Sequence, residues 1–229
     1  ISEAPKVKVS NARPQEKDLY KMLWDKPEYR DYSPGEQVSH IFLEQANPKA
    51  KATVLDLGCG TGRGGLNLAV FGGLDVTFVD FAPNCLDADI VPMLEAQKHT
   101  LKFVEADLSE PLPVEAEYGY CADVMEHIRP HHVDKVLDNC LACAQHVFFQ
   151  ISTVDKLHLS VHDYRWWLNK FNERQCIIHW SKETDDTSMF YVTFRGTGRA
   201  MVDAGTVNTS NEQIKKNVAH NIKQGYIQV

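Results

Sequence analysis

The nine residues Val54-Leu55-Asp56-Leu57-Gly58-Cys59-Gly60-Thr61-Gly62 constrain this chain more than any other stretch. An apolar run of strand character, interrupted by one acid, breaks into three alternating glycines and continues into a helix-like segment reaching about Phe71. Glycine lets the backbone turn tightly and approach a ligand with no Cβ in the way. The helix that follows presents unpaired N–H groups at its start. The stretch predicts a strand-to-helix turn built to receive a cofactor. Asp56, two residues ahead of the first glycine, would repel a pyrophosphate but can orient a cationic amino group, directly or through water.

The same grammar repeats after Pro48. Strands are expected at residues 53–57, 76–80, 101–105, 118–122 and 147–151, with helical crossovers at 86–97, 132–143 and 162–171. A closing pair of strands follows near 176–180 and 189–194. This pattern predicts an α/β fold, Rossmann-like and doubly wound, with a mostly parallel seven-stranded sheet and one antiparallel edge strand. The expected catalytic unit is 48–195. Residues 1–47 combine a surface arm through residue 15 with an aromatic helical segment carrying Tyr20, Trp24, Tyr29 and Tyr32, broken by Pro27 and Ser33-Pro34-Gly35. Residues 196–229 read as a linker and a C-terminal helix near 212–221, a tail that fits a neighbouring domain. A chain starting at Ile1 rather than Met fits a fragment of a longer protein.

Composition narrows the partners. A formal net charge of -7 argues against a broad basic surface for nucleic acid. No apolar run approaches the ~18 residues a membrane span needs. The six cysteines fall mostly inside expected strands and helices, as reduced core residues do, and imply a cytoplasmic setting. Cys140 and Cys143 have zinc-like spacing but no second pair, so core packing is the expectation there and no metal is assigned.

The stretch 54–62 resembles the first motif of the class I S-adenosylmethionine (SAM)-dependent methyltransferases, and three further motifs follow in order. Thr77-Phe78-Val79-Asp80 ends the second strand in an acid, 103–108 is similar to the third motif, and Asp123-Val124-Met125-Glu126-His127-Ile128 is similar to the fourth. The resemblance runs from about residue 54 to 194. It implies SAM as cofactor and S-adenosylhomocysteine (SAH) as product. It also implies that Asp56, Gly58, Cys59, Gly60 and Gly62 line the methionine part, and that Asp80 and Phe81 meet the ribose. Asp107 and Leu108 would then read the adenine, with Asp123 and Val124 bordering the methyl side. Catalytic candidates are His127, as a general base, and Glu126. In the resembling fold the N-terminal aromatics and the helix after the fifth strand lie near the acceptor cleft, which makes Tyr29, Arg30, Tyr32, His158 and Trp166 acceptor-site candidates. The expected acceptor is a small molecule, lipid or saccharide, with RNA or protein next, methylated on oxygen or nitrogen.

Bland readings stand beside these. Glu126 could cap or solvate a helix start, His127 could be a core or capping histidine, and His131-His132 could simply open a helix in solvent. A methyltransferase-fold binding module without catalysis is one alternative. A nicotinamide-dependent oxidoreductase is another, since Gly60, Gly62 and Gly65 satisfy a dinucleotide fingerprint with Asp80 downstream. In that register the fingerprint should begin at Gly58, and Arg63 then occupies the third glycine position.

Overall fold

A computed structural model describes residues 13–154 and 158–194; the expected arm up to residue 12 and the expected linker and helix of 195–229 lie outside the described residues. Seven strands form one sheet in the order β3-β2-β1-β4-β5-β7-β6: β1 (Thr53–Leu57), β2 (Asp75–Asp80), β3 (Phe103–Glu105), β4 (Ala116–Ala122), β5 (Ala144–Ser152), β6 (Ile177–Glu183) and β7 (Thr187–Thr193). Neighbours from β3 to β5 are parallel. Strand β7 runs against β5 and against the outermost β6, so the antiparallel element is the β7 hairpin at that edge. The expected mostly parallel, Rossmann-like sheet is the observed one.

Strand alternation divides the core between two faces. Val54, Val76, Phe78, Tyr120 and Phe148 point to one side, under α3 (Pro34–Ala46), α4 (Arg63–Gly72) and α5 (Ile90–Ala96). Leu55, Leu57, Val79, Val147 and Phe149 point to the other, under α6 (Val133–Cys143) and α7 (Tyr164–Glu173). Both faces are covered, which is why β5 is buried along its whole length. Cys140 and Cys143 lie in this second core, as packing residues do.

Helix α7 begins at a defined cap. Asp163 is extended and its Oδ1 accepts the Trp166 backbone N–H at 2.8 Å, while Trp167 and Phe171 one turn apart bury against the sheet. Asp163→Ala should cost about 1 kcal/mol and lower the melting temperature by about 2–4 °C; an unchanged melting curve would remove the cap from the account.

Two helices precede α3: α1 (Arg13–Trp24) and α2 (Pro27–Arg30), the break at Pro27 falling where the sequence predicts it. They cross the carboxyl ends of the central strands, where all the motif residues emerge. Tyr120 at the end of β4 ties α3 to the sheet by donating its hydroxyl to the Gly35 carbonyl.

Candidate active site

The glycine turn is built as its composition requires. Gly58, Gly60 and Gly62 have φ of +73°, +48° and +80°, left-handed values that a side chain adopts at a cost. The N–H groups of Gly58 and Cys59 both donate to the Val79 carbonyl, at 2.8 and 3.0 Å, which lashes the turn to the end of β2. There is no room for bulk: a Cβ on Gly58 would stand 2.6 Å from Val124, and one on Gly65 would stand 2.6 Å from Asp56 and 2.5 Å from Phe78.

Two buried carboxyls face this turn. Asp56 Oδ2 accepts the Gly65 N–H at 2.9 Å, and burial pushes its carboxyl up to about 7 against the opposing effect of that hydrogen bond. Asp80 accepts Gly60 N–H on Oδ2 at 3.1 Å and Ala82 N–H on Oδ1 at 2.9 Å; burial raises it too. Phe81 beside it meets Tyr20 edge-on at 5.3 Å. Asp107 turns inward on its own loop, where Oδ1 accepts the Ser109 N–H at 2.9 Å, and Leu108 is buried next to it.

The end of β4 carries a second cluster. Asp123 has φ +60°, a left-handed conformation unusual outside glycine and a mark of local strain. Its Oδ2 lies 3.7 Å from His127 Nε2. Burial raises the Asp123 carboxyl, but His127, the hydrogen bond from Glu126 and the His158 charge together outweigh it, and the net effect holds the group low. The His127 ring meets His158 edge-on at 4.7 Å and Tyr20 at 6.5 Å.

Glu126 is fully buried, so it neither caps nor solvates a helix start. Its Oε1 accepts the Ser152 N–H at 2.6 Å and its backbone carbonyl accepts the N–H groups of Leu159 and Ser160. Burial and the Asp123 charge drive its carboxyl well up, toward the neutral acid. Glu126 thereby fastens the loop after β5 to the end of β4 and sets where His158 stands. His131 and His132 belong to a single 3₁₀ turn leading into α6.

The acceptor-site expectations divide. Tyr29 packs on Trp24 at 4.8 Å, and burial followed by the charges of Asp123 and Asp80 raises its phenol, which sets it beside the cleft acids. Tyr32 is exposed, and after burial the charges of Asp123 and Asp186 raise its phenol. His158 joins His127. Arg30 does not present a donor to an acceptor: its guanidinium is committed to the carbonyls of Trp24, Asn84, Cys85 and Leu86 and to Asp87. Trp166 also stands apart, stacked on His162 at 3.6 Å with Lys170 over its ring, because its place on α7 faces that pair.

Absent from the expected site residues are Tyr20 and Trp24, one helical turn apart on α1. Trp24 lies against Gly60, where a Cβ would stand 3.0 Å from the indole. The helix is pinned across the strand ends by Lys17 to Glu105, Glu16 to Arg129, and Asn84 Nδ2 to the Lys21 carbonyl at 2.9 Å. The signal in the sequence was the i, i+4 aromatic spacing, which alone does not say what the pair covers.

A family model described as a methyltransferase domain matches residues 54–146, the span from the glycine turn to the start of β5. That span holds both clusters. The match falls on the same stretch whose motifs resemble those of the class I SAM-dependent methyltransferases. Among solved structures, this chain is similar to 1,6-didemethyltoxoflavin-N1-methyltransferase from Burkholderia thailandensis, with TM-score 0.63, 16% identity, and 82% of this chain and 93% of that one covered. Magnesium protoporphyrin IX methyltransferase from Synechocystis PCC 6803 matches with TM-score 0.59 and 13% identity, over 80% of this chain and 95% of that one. An O-methyltransferase family protein from Burkholderia thailandensis matches with TM-score 0.58 and 13% identity; 82% of this chain covers 62% of that longer chain. No curated protein sequence matches. No helix among the described residues is long and apolar enough to cross a membrane.

Proposed function

We propose that this chain binds SAM across the carboxyl ends of β1 to β4 and transfers its methyl group to an oxygen or nitrogen of a small-molecule, lipid or saccharide acceptor in the cytoplasm. The observation that carries the reading is the pairing of Asp80 with the Gly60 N–H: a buried acid at the end of β2 is aimed at a left-handed glycine turn with no room for a side chain. A carboxylate matches the two ribose hydroxyls, the three glycines admit the methionine part, and Asp56 is the counter-charge for its amino group. The glycine cradle and the donor set fit this cofactor. Asp107, Leu108, Val124 and Cys59 complete the lining, the catalytic domain is the unit expected at 48–195, and the described helices of residues 13–46 cover it.

The charged sulfonium supplies a methyl group that is already activated, so the chain's contribution is positioning and proton removal. His127, oriented through Nε2 by Asp123, accepts the acceptor's proton on Nδ1. Glu126 and His158 shape the wall around it. Beside them an open depression of ≈ 390 Å³, lined by Arg129, Pro130, His131 and Leu159, suits the body of the acceptor. Small-molecule N-methylation by the toxoflavin enzyme and porphyrin methylation by the Synechocystis enzyme support that class.

Calorimetry with SAH tests the cofactor site. Asp80→Ala should weaken binding by ~1–3 kcal/mol, the cost of leaving buried partners unmade. Binding should also release a proton near neutral pH. With its carboxyl at about 7 in the free chain, Asp56 is brought lower by a cationic amino group, so affinity falls as pH drops below that value. Affinity that is flat across this range, with no buffer-dependent heat, would separate Asp56 from the ligand. Screening acceptor extracts with labelled SAM then identifies the product.

A further inference from the structure

Cys59, Asp80 and Cys85 come from three different elements: the glycine turn, the end of β2 and the loop before α5. All three are buried, and their ligand atoms lie within 4.8 Å of one another. The two Sγ atoms are 4.0 Å apart. A tetrahedral ion with bonds of ~2.3 Å to sulfur holds two thiolates about 3.8 Å apart. The thiol pair is therefore already close to the spacing that such an ion imposes.

The frame around it is fixed. Backbone N–H groups orient both oxygens of Asp80. Arg30 grips the Cys85 loop through the carbonyls of Asn84, Cys85 and Leu86, and Asn84 ties that loop to α1. Two sulfurs and one carboxylate form a donor set that favours soft borderline cations over magnesium or calcium, and three protein ligands leave a fourth tetrahedral position.

We propose that Cys59, Asp80 and Cys85 form a binding site for a thiophilic divalent cation of the zinc class, and that a cation held there excludes the cofactor. The exclusion rests on the reading of Asp80 as the ribose partner. Methyl transfer itself needs no metal, so such a site is inhibitory. It makes the enzyme responsive to free thiophilic ions, and binding displaces the two thiol protons.

Cadmium is the probe, with the full chain kept reduced by a phosphine. One cadmium ion per chain should produce the ultraviolet thiolate-to-cadmium band with a one-to-one endpoint, and should weaken SAH binding at least ten-fold. Cys85→Ser should lose the band and make SAH binding indifferent to cadmium, while its SAH affinity without cadmium stays within a few-fold. Cys85→Ala, prepared alongside, should behave the same way if serine disturbs the buried loop. A band that survives in both variants puts the cation on other thiols and overturns the site. Equal SAH affinity with and without bound cadmium overturns the exclusion. Failure of SAH to bind in the absence of cadmium counts against the cofactor reading, and the band then judges the site independently.

Discussion

His127→Ala should lower methyl transfer by roughly 10²–10⁴-fold, the range expected when a positioned base is removed, while SAH affinity stays within a few-fold. The reasoning rests on division of labour at the strand ends. Asp56, Asp80 and the glycines lie at β1 and β2, whereas His127 stands at the end of β4, held 3.7 Å from Asp123 and beside His158. Asp123→Asn should give a smaller loss. It keeps the shape of the positioning residue but removes the carboxylate charge that stands against the imidazole. A His127→Ala enzyme that retains full kcat on the identified acceptor would mean that positioning alone suffices.

Gly60→Val should abolish measurable SAH binding. At φ +48° a side chain costs about 1–2 kcal/mol of backbone strain, and its Cβ would stand 3.0 Å from the Trp24 indole on the face the cofactor has to reach. Strain and lost space can be separated. Gly73 has a comparable φ of +63°, but a Cβ there meets only Ala50 at 3.9 Å. Gly73→Ala should therefore lose similar stability in thermal unfolding yet bind SAH like the parent. If Gly60→Val also binds like the parent, the turn is structural and the cofactor lies elsewhere.

The central sheet was legible because β1, β2, β4 and β5 each carry a short, mostly apolar stretch bounded by turns. The edges were less so. The third strand reads from residue 101, yet only Phe103–Glu105 pairs with β2. Helix α5 reads from residue 86 but begins at Ile90, because Arg30 and the Thr61 carbonyl hold residues 84–87 in a turn. That clamp is tertiary and leaves no trace in local periodicity.

The site shows the same limit. Motif order singled out Asp56, Asp80, Asp123 and His127, which lie at or just beyond the carboxyl ends of β1, β2 and β4. Arg30 looked like a ligand donor because an arginine among tyrosines gives no sign that backbone carbonyls occupy it. The burial of Glu126 was likewise hidden, since an acid beside a histidine at a helix start reads as solvated.

Helix α1 lies across the strand ends with Trp24 on Gly60, and its outward ties, Lys17 to Glu105 and Glu16 to Arg129, are partly exposed ion pairs. For a cofactor seated as proposed, exchange would require this helix to move, and its apparent affinity would depend on how often the helix does so. Salt screens such pairs, so raising the ionic strength should ease the release of a cofactor bound as proposed.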